Sequence, residues 1–312
     1  MNAETPLDVA VLIPCFNEEA AIATVVRDFR EQLPEARICV FDNNSSDRTA
    51  EVAEAAGAEV WHEPRQGKGN VVRRMFAEIE ADVYLMVDGD ATYDAASARA
   101  MVDELESKKL DMVVARRVTT EAAAYRAGHQ WGNRMLTGAV ARIFGHLLTD
   151  ILSGYRAFSR RFVKSFPAMA TGFEIETELT IHSLQLRLPV GEIDTPYFAR
   201  PEGSDSKLNT YRDGFRILGT IIRLFVLEKP FQFFGLLSLL FLLASSVLFV
   251  PIVIEYFATG LVPKFPSLIV AVGGYVMALL SVVMGTLLYT TSITRLEMKR
   301  FRYLDTRRAP PA

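Results

Sequence analysis

The chain has 312 residues, enough for one soluble domain of ordinary size plus a membrane part. Hydrophobic residues make up 50% of it and mean hydropathy is +0.17, more than a soluble enzyme needs, which points to membrane segments. A net charge of −3 supplies no global basic field, so nucleic acid is not an expected partner.

The first residues, Met1 to Asp8, are polar and acidic without an apolar run, which predicts an N-terminal domain on the cytoplasmic side. Val9–Ile13 reads as a buried strand, followed by a helix over Ala20–Gln32 that Asn17-Glu18-Glu19 opens. Arg37–Phe41 reads as a second strand. A helix starts at Ser46-Asp47-Arg48, with Ser46 or Asp47 as its cap, and ends at Gly57. Ala58–Trp61 is a third strand, Gly67–Ile79 loop then helix, Val83–Val87 a fourth strand, Ala95–Lys108 a helix and Met112–Ala115 a fifth strand. Strands alternating with helices predict an α/β domain over residues 1–210 with a mostly parallel sheet covered on both faces. The two cysteines, Cys15 and Cys39, lie in apolar runs and read as buried thiols; the four scattered histidines do not suggest a zinc site.

Beyond Arg200 the character changes. Residues 201–209 are rich in Gly, Ser and charge. Tyr211–Leu227 reads as an amphipathic helix, with Phe215, Leu218, Ile222 and Phe225 on one stripe and Arg212, Arg216 and Arg223 beside it, suited to lying on a bilayer (211–229). Phe231–Ile254 and Phe265–Thr294 carry no charged residue, and each exceeds the ~20 residues that cross a bilayer, which predicts a two-helix transmembrane anchor over 230–295. The basic residues from Arg295 onward put the tail, 296–312, and the chain's other end in the cytoplasm.

Three polar clusters fall at predicted strand ends, where ligands of such sheets bind. Asp88-Gly89-Asp90 offers two carboxylates to one hard divalent cation, Mg²⁺ or Mn²⁺, whose shell a substrate diphosphate would complete. Asp42-Asn43-Asn44 offers a carboxylate and amides to a nucleobase or ribose. Gly67-Lys68-Gly69-Asn70 puts a cation at a helix start, suited to phosphate, yet it is not a Walker loop, and no dinucleotide fingerprint follows the first strand. Arg116, Arg117, Arg126, Arg200 and Lys207 are cations near loops that could grip an anionic substrate.

In order along the chain, Ile13-Pro14-Cys15-Phe16-Asn17-Glu18-Glu19, Asp42-Asn43-Asn44-Ser45-Ser46-Asp47-Arg48-Thr49, Gly67-Lys68-Gly69, Asp88-Gly89-Asp90, Ser153-Gly154-Tyr155-Arg156, the segment Gly172 to Glu176 and Arg200-Pro201-Glu202-Gly203-Ser204-Asp205-Ser206-Lys207 resemble the motifs of family 2 glycosyltransferases of the GT-A fold. The set is most similar to the membrane-anchored polyprenyl- or dolichyl-phosphate sugar synthases. The resemblance implies a GT-A, Rossmann-like sheet and inverting transfer of a single sugar from a nucleotide sugar to undecaprenyl or dolichyl phosphate at the bilayer. It implies donor contacts from Pro14, Phe16, Asn17, Glu18, Asp42, Asn44, Lys68, Asp88, Gly89 and Asp90, and metal ligation by Asp88 and Asp90. For the acceptor phosphate it implies the loop of Arg200, Ser204 and Lys207, to which Arg117 and Arg126 are added as cations near loops; if a base is used, Glu176 or Asp150 are the candidates beside the catalytic Asp88 and Asp90. A UDP-sugar carrying N-acetylglucosamine or glucose is the favoured donor; a GDP-mannose-dependent synthase and a transferase using another lipid acceptor are the alternatives. Relatives of this type often form homotetramers. Asn43 departs from the aspartate that many members carry, and the Gln-x-x-Arg-Trp mark of processive synthases is absent.

Overall fold

The structure is a computed structural model that describes residues 7–118, 137, 138, 140–142, 148–172, 174–200, 219, 222 and 225–306. The chain divides into two compact units, one of residues 1–217 with 298–312 and one of residues 218–297.

In the first unit the element order is β1 (Val9–Cys15), α1 (Ile22–Gln32), β2 (Arg37–Asp42), α2 (Thr49–Ala55), β3 (Glu59–His62), α3 (Lys68–Glu78), β4 (Val83–Met86), α4 (Ser97–Ser107), β5 (Met112–Val118), β6 (Arg156–Ser159), α5 (Arg160–Ser165), α6 (Ile175–Leu186) and β7 (Val190–Pro196). They build one seven-stranded sheet in the order β3-β2-β1-β4-β6-β5-β7. β6 runs antiparallel to β4 and β5; every other pairing is parallel. The inner strands are apolar throughout because both faces are covered. Residues Val9 to Ile13 and Val83 to Met86 are buried without alternation. Helix α1 turns Ile22, Val25, Val26 and Phe29 inward at helical spacing. The strand order reverses between β1 and β4, which opens a crevice beyond their carboxyl ends.

All five expected strands are present, and the sheet is the expected mostly parallel one. Asp47, the alternative to Ser46, meets the start of α2: its carboxylate accepts from the Thr49 N–H at 3.0 Å. Both cysteines are buried and free, as expected, and burial pushes the Cys15 thiol well up.

The second unit holds α7 (Pro230–Thr259) and most of α8 (Phe265–Asp305), helices long and apolar enough to cross a membrane. Ala271, Ala278 and Ser281 are buried between the helices. A side chain at Gly274 would strike Ser245, and one at Gly285 would come within 2.9 Å of Phe234 Cβ. Small residues thus let the two backbones approach, as in helix pairs within lipid. Leu236, Leu239, Leu243, Val270 and Leu279 remain exposed. The expected interfacial helix over 211–229 lies for the most part outside the described residues.

Helix α8 continues eleven residues past the expected span, from Arg295 to Asp305, so much of the predicted basic tail is helical. Its last turns bind the first unit. Lys299 Nζ meets Gln185 Oε1 at 2.8 Å, and Arg300 donates to the Leu186 carbonyl at 3.2 Å, near the end of α6. Tyr303 donates to Asp111 Oδ2 at 2.8 Å, and its ring lies 4.6 Å under the Arg161 guanidinium. Asp111 is wholly buried at the foot of β5 and also accepts from Ser159 Oγ at 2.6 Å. Tyr303→Phe leaves that buried oxygen without its donor, which should cost about 1–3 kcal/mol. Thermal unfolding of the full chain should register a lower midpoint, with an unchanged midpoint counting against the contact.

His182 is buried against the Phe162 and Phe166 rings, with Nε2 3.0 Å from Ser165 Oγ. Burial, aided by the Lys299 charge, lowers its pKa from 6.5 to about 3. The unfolded chain therefore takes up a proton near pH 6.5 that the folded one refuses. Stability is full above that pH and falls as pH drops toward 3, by up to about 1.4 kcal/mol per pH unit. Comparing unfolding midpoints at pH 7 and 5, His182→Gln should lose less on acidification than the parent; equal losses would refute the assignment.

Candidate active site

Three strands deliver the polar clusters to one edge. Cys15 pairs with Asp42, and Asp42 with His62, so the ends of β1, β2 and β3 lie side by side. Their loops are stitched together. Asn17 N–H donates to Ser45 Oγ at 2.9 Å, Ser46 N–H to Asn17 Oδ1 at 2.8 Å, and Glu18 N–H to Thr49 Oγ1 at 2.8 Å. Asn17, Asn44 and Ala91 each hold a left-handed φ, between +54 and +61°. Such conformations are costly for non-glycine residues and cluster where structure serves a site.

Asp42 is 4% exposed. Its Oδ2 accepts from Ser45 N–H at 3.3 Å and faces His62 Nδ1 at 3.1 Å. Its Oδ1 is buried and has no hydrogen-bond partner among the described residues. A buried carboxylate oxygen left unpaired is expensive, and an N–H of a nucleobase would satisfy it. Asn17 and Ser45 to Thr49, by contrast, spend polar groups on one another.

Asp88 and Asp90 leave β4 together. Asp88 Oδ1 lies 2.5 Å from Lys68 Nζ, which also lies 2.5 Å from Glu176 Oε1 on α6. Burial works to lower the Lys68 pKa, but the two carboxylates outweigh it and raise it, so the side chain is a fixed cation. Asp90 Oδ1 accepts from Thr92 Oγ1 at 2.6 Å, and Oδ2 pairs with Arg200 Nη2 at 2.7 Å. Burial and then the charge of Asp88 push the Asp90 carboxyl up, against the pull of Arg200. Two glycines make the geometry: a Cβ on Gly154 would sit 2.5 Å from Asp88 Oδ2, and one on Gly89 2.5 Å from Cys15 Sγ. A hard divalent cation fits this donor set. Two carboxylates face inward, each already drawing a cationic side chain, and diphosphate oxygens and water would fill the remaining positions.

The glycines around Lys68 make room for a neighbouring stretch of backbone. A side chain at Gly67 or Gly69 would collide with the Thr171 or Ala170 carbonyl. They admit close backbone packing, while Lys68 itself points at carboxylates. The 168–171 strip is held in turn by Glu178, which accepts from Met169 and Ala170 N–H at 3.0 and 2.7 Å, and by Arg73, which donates to the Ala168 carbonyl at 2.8 Å.

At the end of β5, Arg117 grips Asp150 with Nε and Nη2, both at 2.7 Å, and its guanidinium lies 5.5 Å from the Tyr197 ring centre. Burial pushes the Asp150 carboxyl up, but Arg117 outweighs it and holds it below the usual range. With both oxygens engaged, Asp150 suits orienting Arg117 better than accepting a proton. Arg156, fully buried, clamps the same loop: it donates to the Ile151 and Ser153 carbonyls at 2.6 and 2.8 Å and to Thr180 Oγ1 at 2.9 Å. Burial lowers its pKa to about 10, still charged at neutral pH. Arg126, Ser204 and Lys207 lie outside the described residues. Sequence reasoning did not single out Tyr93, whose hydroxyl accepts from Gly154 N–H at 2.9 Å, or Glu192, which accepts from the Thr149 and Asp150 N–H groups at 2.7 and 3.1 Å. Neither carries a local signal, since each acts on a residue far away in the chain.

The glycosyl transferase family 2 profile matches residues 10–166. Glycosyltransferase AglJ of Haloferax volcanii is 37% identical over 232 residues, 74% of this chain and 76% of that protein. The dolichyl-phosphate hexose transferase of the same organism is 27% identical over 226 residues, 71% of this chain and 96% of that one. An uncharacterised Shigella flexneri protein is 49% identical over 155 residues, 50% of this chain and 95% of its own length. Among solved structures, Mycobacterium tuberculosis glucosyl-3-phosphoglycerate synthase in complex with Mn²⁺, UDP-glucose and phosphoglyceric acid matches with TM-score 0.57 at 22% identity, over 70% of this chain and 79% of that one. At that identity the likeness is one of fold, and the fold is GT-A-like.

Proposed function

The chain belongs to glycosyl transferase family 2, and from that membership we propose that it transfers one sugar from a UDP-sugar to a polyprenyl phosphate at the cytoplasmic face of a membrane. The observation that carries this reading is the convergence, at one sheet edge, of a buried carboxylate with one unpaired oxygen (Asp42 Oδ1), a carboxylate pair (Asp88 and Asp90) and the cations that meet that pair (Lys68 and Arg200). The resemblance to a dolichyl-phosphate hexose transferase supports a lipid phosphate as acceptor.

Asp42 Oδ1 would accept a base N–H, and Asp88 and Asp90 would hold Mg²⁺ or Mn²⁺. The metal, when bound, neutralises charge on the leaving diphosphate. Arg117 and Arg200, with Arg126, Ser204 and Lys207, meet the acceptor phosphate. A phosphomonoester has its second pKa near 6, so its oxygen arrives largely deprotonated. That oxygen bonds to the anomeric carbon as the bond from this carbon to the diphosphate oxygen breaks, and the electron pair leaves with UDP. No strong base is required, in keeping with Asp150 and Glu176 both being engaged by cations. The protein's work is positioning and charge neutralisation. In-line attack inverts the centre, giving a β-linked product from an α-linked donor.

A cytoplasmic placement has support from the chain's course: two spans would return it to the side it left, where Met298–Asp305, part of the catalytic unit, is tied to it by Tyr303 and Asp111. The basic residues from Arg295 onward favour the cytoplasmic side. Purified chain, metal and undecaprenyl phosphate should be screened against UDP-glucose, UDP-N-acetylglucosamine and GDP-mannose. Lipid-linked product from a UDP-sugar, with β configuration by NMR, is expected; product from GDP-mannose alone would overturn the donor assignment.

A further inference from the structure

Asn43 sits at the end of β2, beside Asp42, and is 5% exposed. Its position next to the base-facing carboxylate suggests a nucleotide contact, but its side chain is already spent. Oδ1 accepts from Gly67 N–H at 2.7 Å, and Nδ2 donates to the Glu63 and Arg65 carbonyls at 3.0 and 2.8 Å. Only this orientation of the amide puts its donors on carbonyls and its acceptor on an N–H. All three bonds fall on one stretch, Glu63 to Gly67, that connects β3 to α3 and whose Pro64, Arg65 and Gln66 are exposed. The stretch ends at Gly67, at φ +126°, and the next residue is Lys68, whose ammonium reaches Asp88 and Glu176.

We propose that Asn43 is a positioning residue for the donor site: it staples the Glu63–Gly67 segment and so fixes the point from which Lys68 reaches across to Asp88 and Glu176. The staple requires an amide. An aspartate of the same shape has no donor when ionised, and would set its oxygens against the Glu63 and Arg65 carbonyls. The kinetic consequence rests on the proposed sugar transfer; the staple itself does not.

The test is a double-mutant cycle on the full-length chain in lipid nanodiscs, with Asn43→Asp, Lys68→Ala and both together. Amide hydrogen exchange over Glu63–Val71, read without ligand, should rise about tenfold in Asn43→Asp. Its kcat/KM for the nucleotide sugar should fall about 10- to 100-fold, yet by less than about threefold when Lys68 is already alanine, because the two changes share one route. A residue serving stability alone would lose the same factor in both backgrounds. Additive losses, or exchange at the parent's rate, would overturn the proposal. If Asn43→Asp lacks a cooperative unfolding transition, Asn43→Ser, which keeps a hydroxyl donor without charge, runs the same cycle. Absence of any transfer by the parent would overturn the proposed function, and the exchange measurement would still decide the staple.

Discussion

Asp90→Asn should abolish sugar transfer, lowering kcat by about 10³-fold, while leaving the protein at least as stable as before. The two halves of that expectation have one cause. Asp90 is 4% exposed, and its charge is disfavoured first by burial and then by Asp88. Removing the charge relieves both. Asparagine can keep an oxygen on Thr92, whose hydroxyl and N–H now donate at 2.6 and 3.2 Å. What is lost is the negative oxygen that faces Arg200 at 2.7 Å and that a metal-diphosphate would use. An amide NH₂ there would confront the guanidinium donor to donor. Activity bought by a strained, charged interior is the usual reason that a site residue can be replaced at no cost to the fold. Unfolding midpoints without metal, set beside initial rates with it, check both halves. Turnover close to the parent's would refute the metal assignment, and a large fall in midpoint would show that the loss is one of folding.

Arg117→Lys should cut kcat/KM for the lipid acceptor by about 10²-fold and leave nucleotide-sugar affinity within about twofold. Arginine holds Asp150 with two nitrogens of one plane, a two-point grip that fixes where its charge sits. Lysine keeps the charge but grips with a single point and cannot fix it in the same place. The change to lysine is more informative than one to alanine, which would leave the buried Asp150 without its ion-pair partner, a loss of about 3–5 kcal/mol that could unfold the region. Acceptor saturation curves at fixed donor, together with calorimetric titration of UDP, separate the effects. Equal losses on both substrates would remove Arg117 from the acceptor side.

Strands β1, β2, β4 and β5 were legible because strands covered on both faces read as apolar runs, and the short edge strand β3 because Val60 and Trp61 follow the helix-ending Gly57. β6 was not: it is the four residues Arg156-Ala157-Phe158-Ser159, opening on a fully buried arginine whose partners come from residues 151, 153 and 180. β7, Val-Gly-Glu-Ile-Asp-Thr-Pro, is an edge strand too polar to show a period. The two long apolar helices were plain from composition, but the end of α8 was not, because its last turns are held by Tyr303 meeting Asp111 far off in sequence. The same divide runs through the site. Asp88 and Asp90 could be found from their place after a buried strand. The destination of Lys68 could not, since Glu176 stands on a helix more than a hundred residues later. That the space left by Gly67 and Gly69 is taken by the backbone at 170 and 171 could not be read from the sequence either, for the same reason of distance along the chain.

The central claim is that the acceptor is a lipid phosphate whose own charge makes it the nucleophile. Transfer from a labelled UDP-sugar should therefore be measured with undecaprenyl phosphate and, side by side, with undecaprenol lacking the phosphate. The account predicts lipid-linked product and equimolar UDP from the phosphate, and none from the alcohol; equal product from both, or product from the alcohol alone, would contradict it.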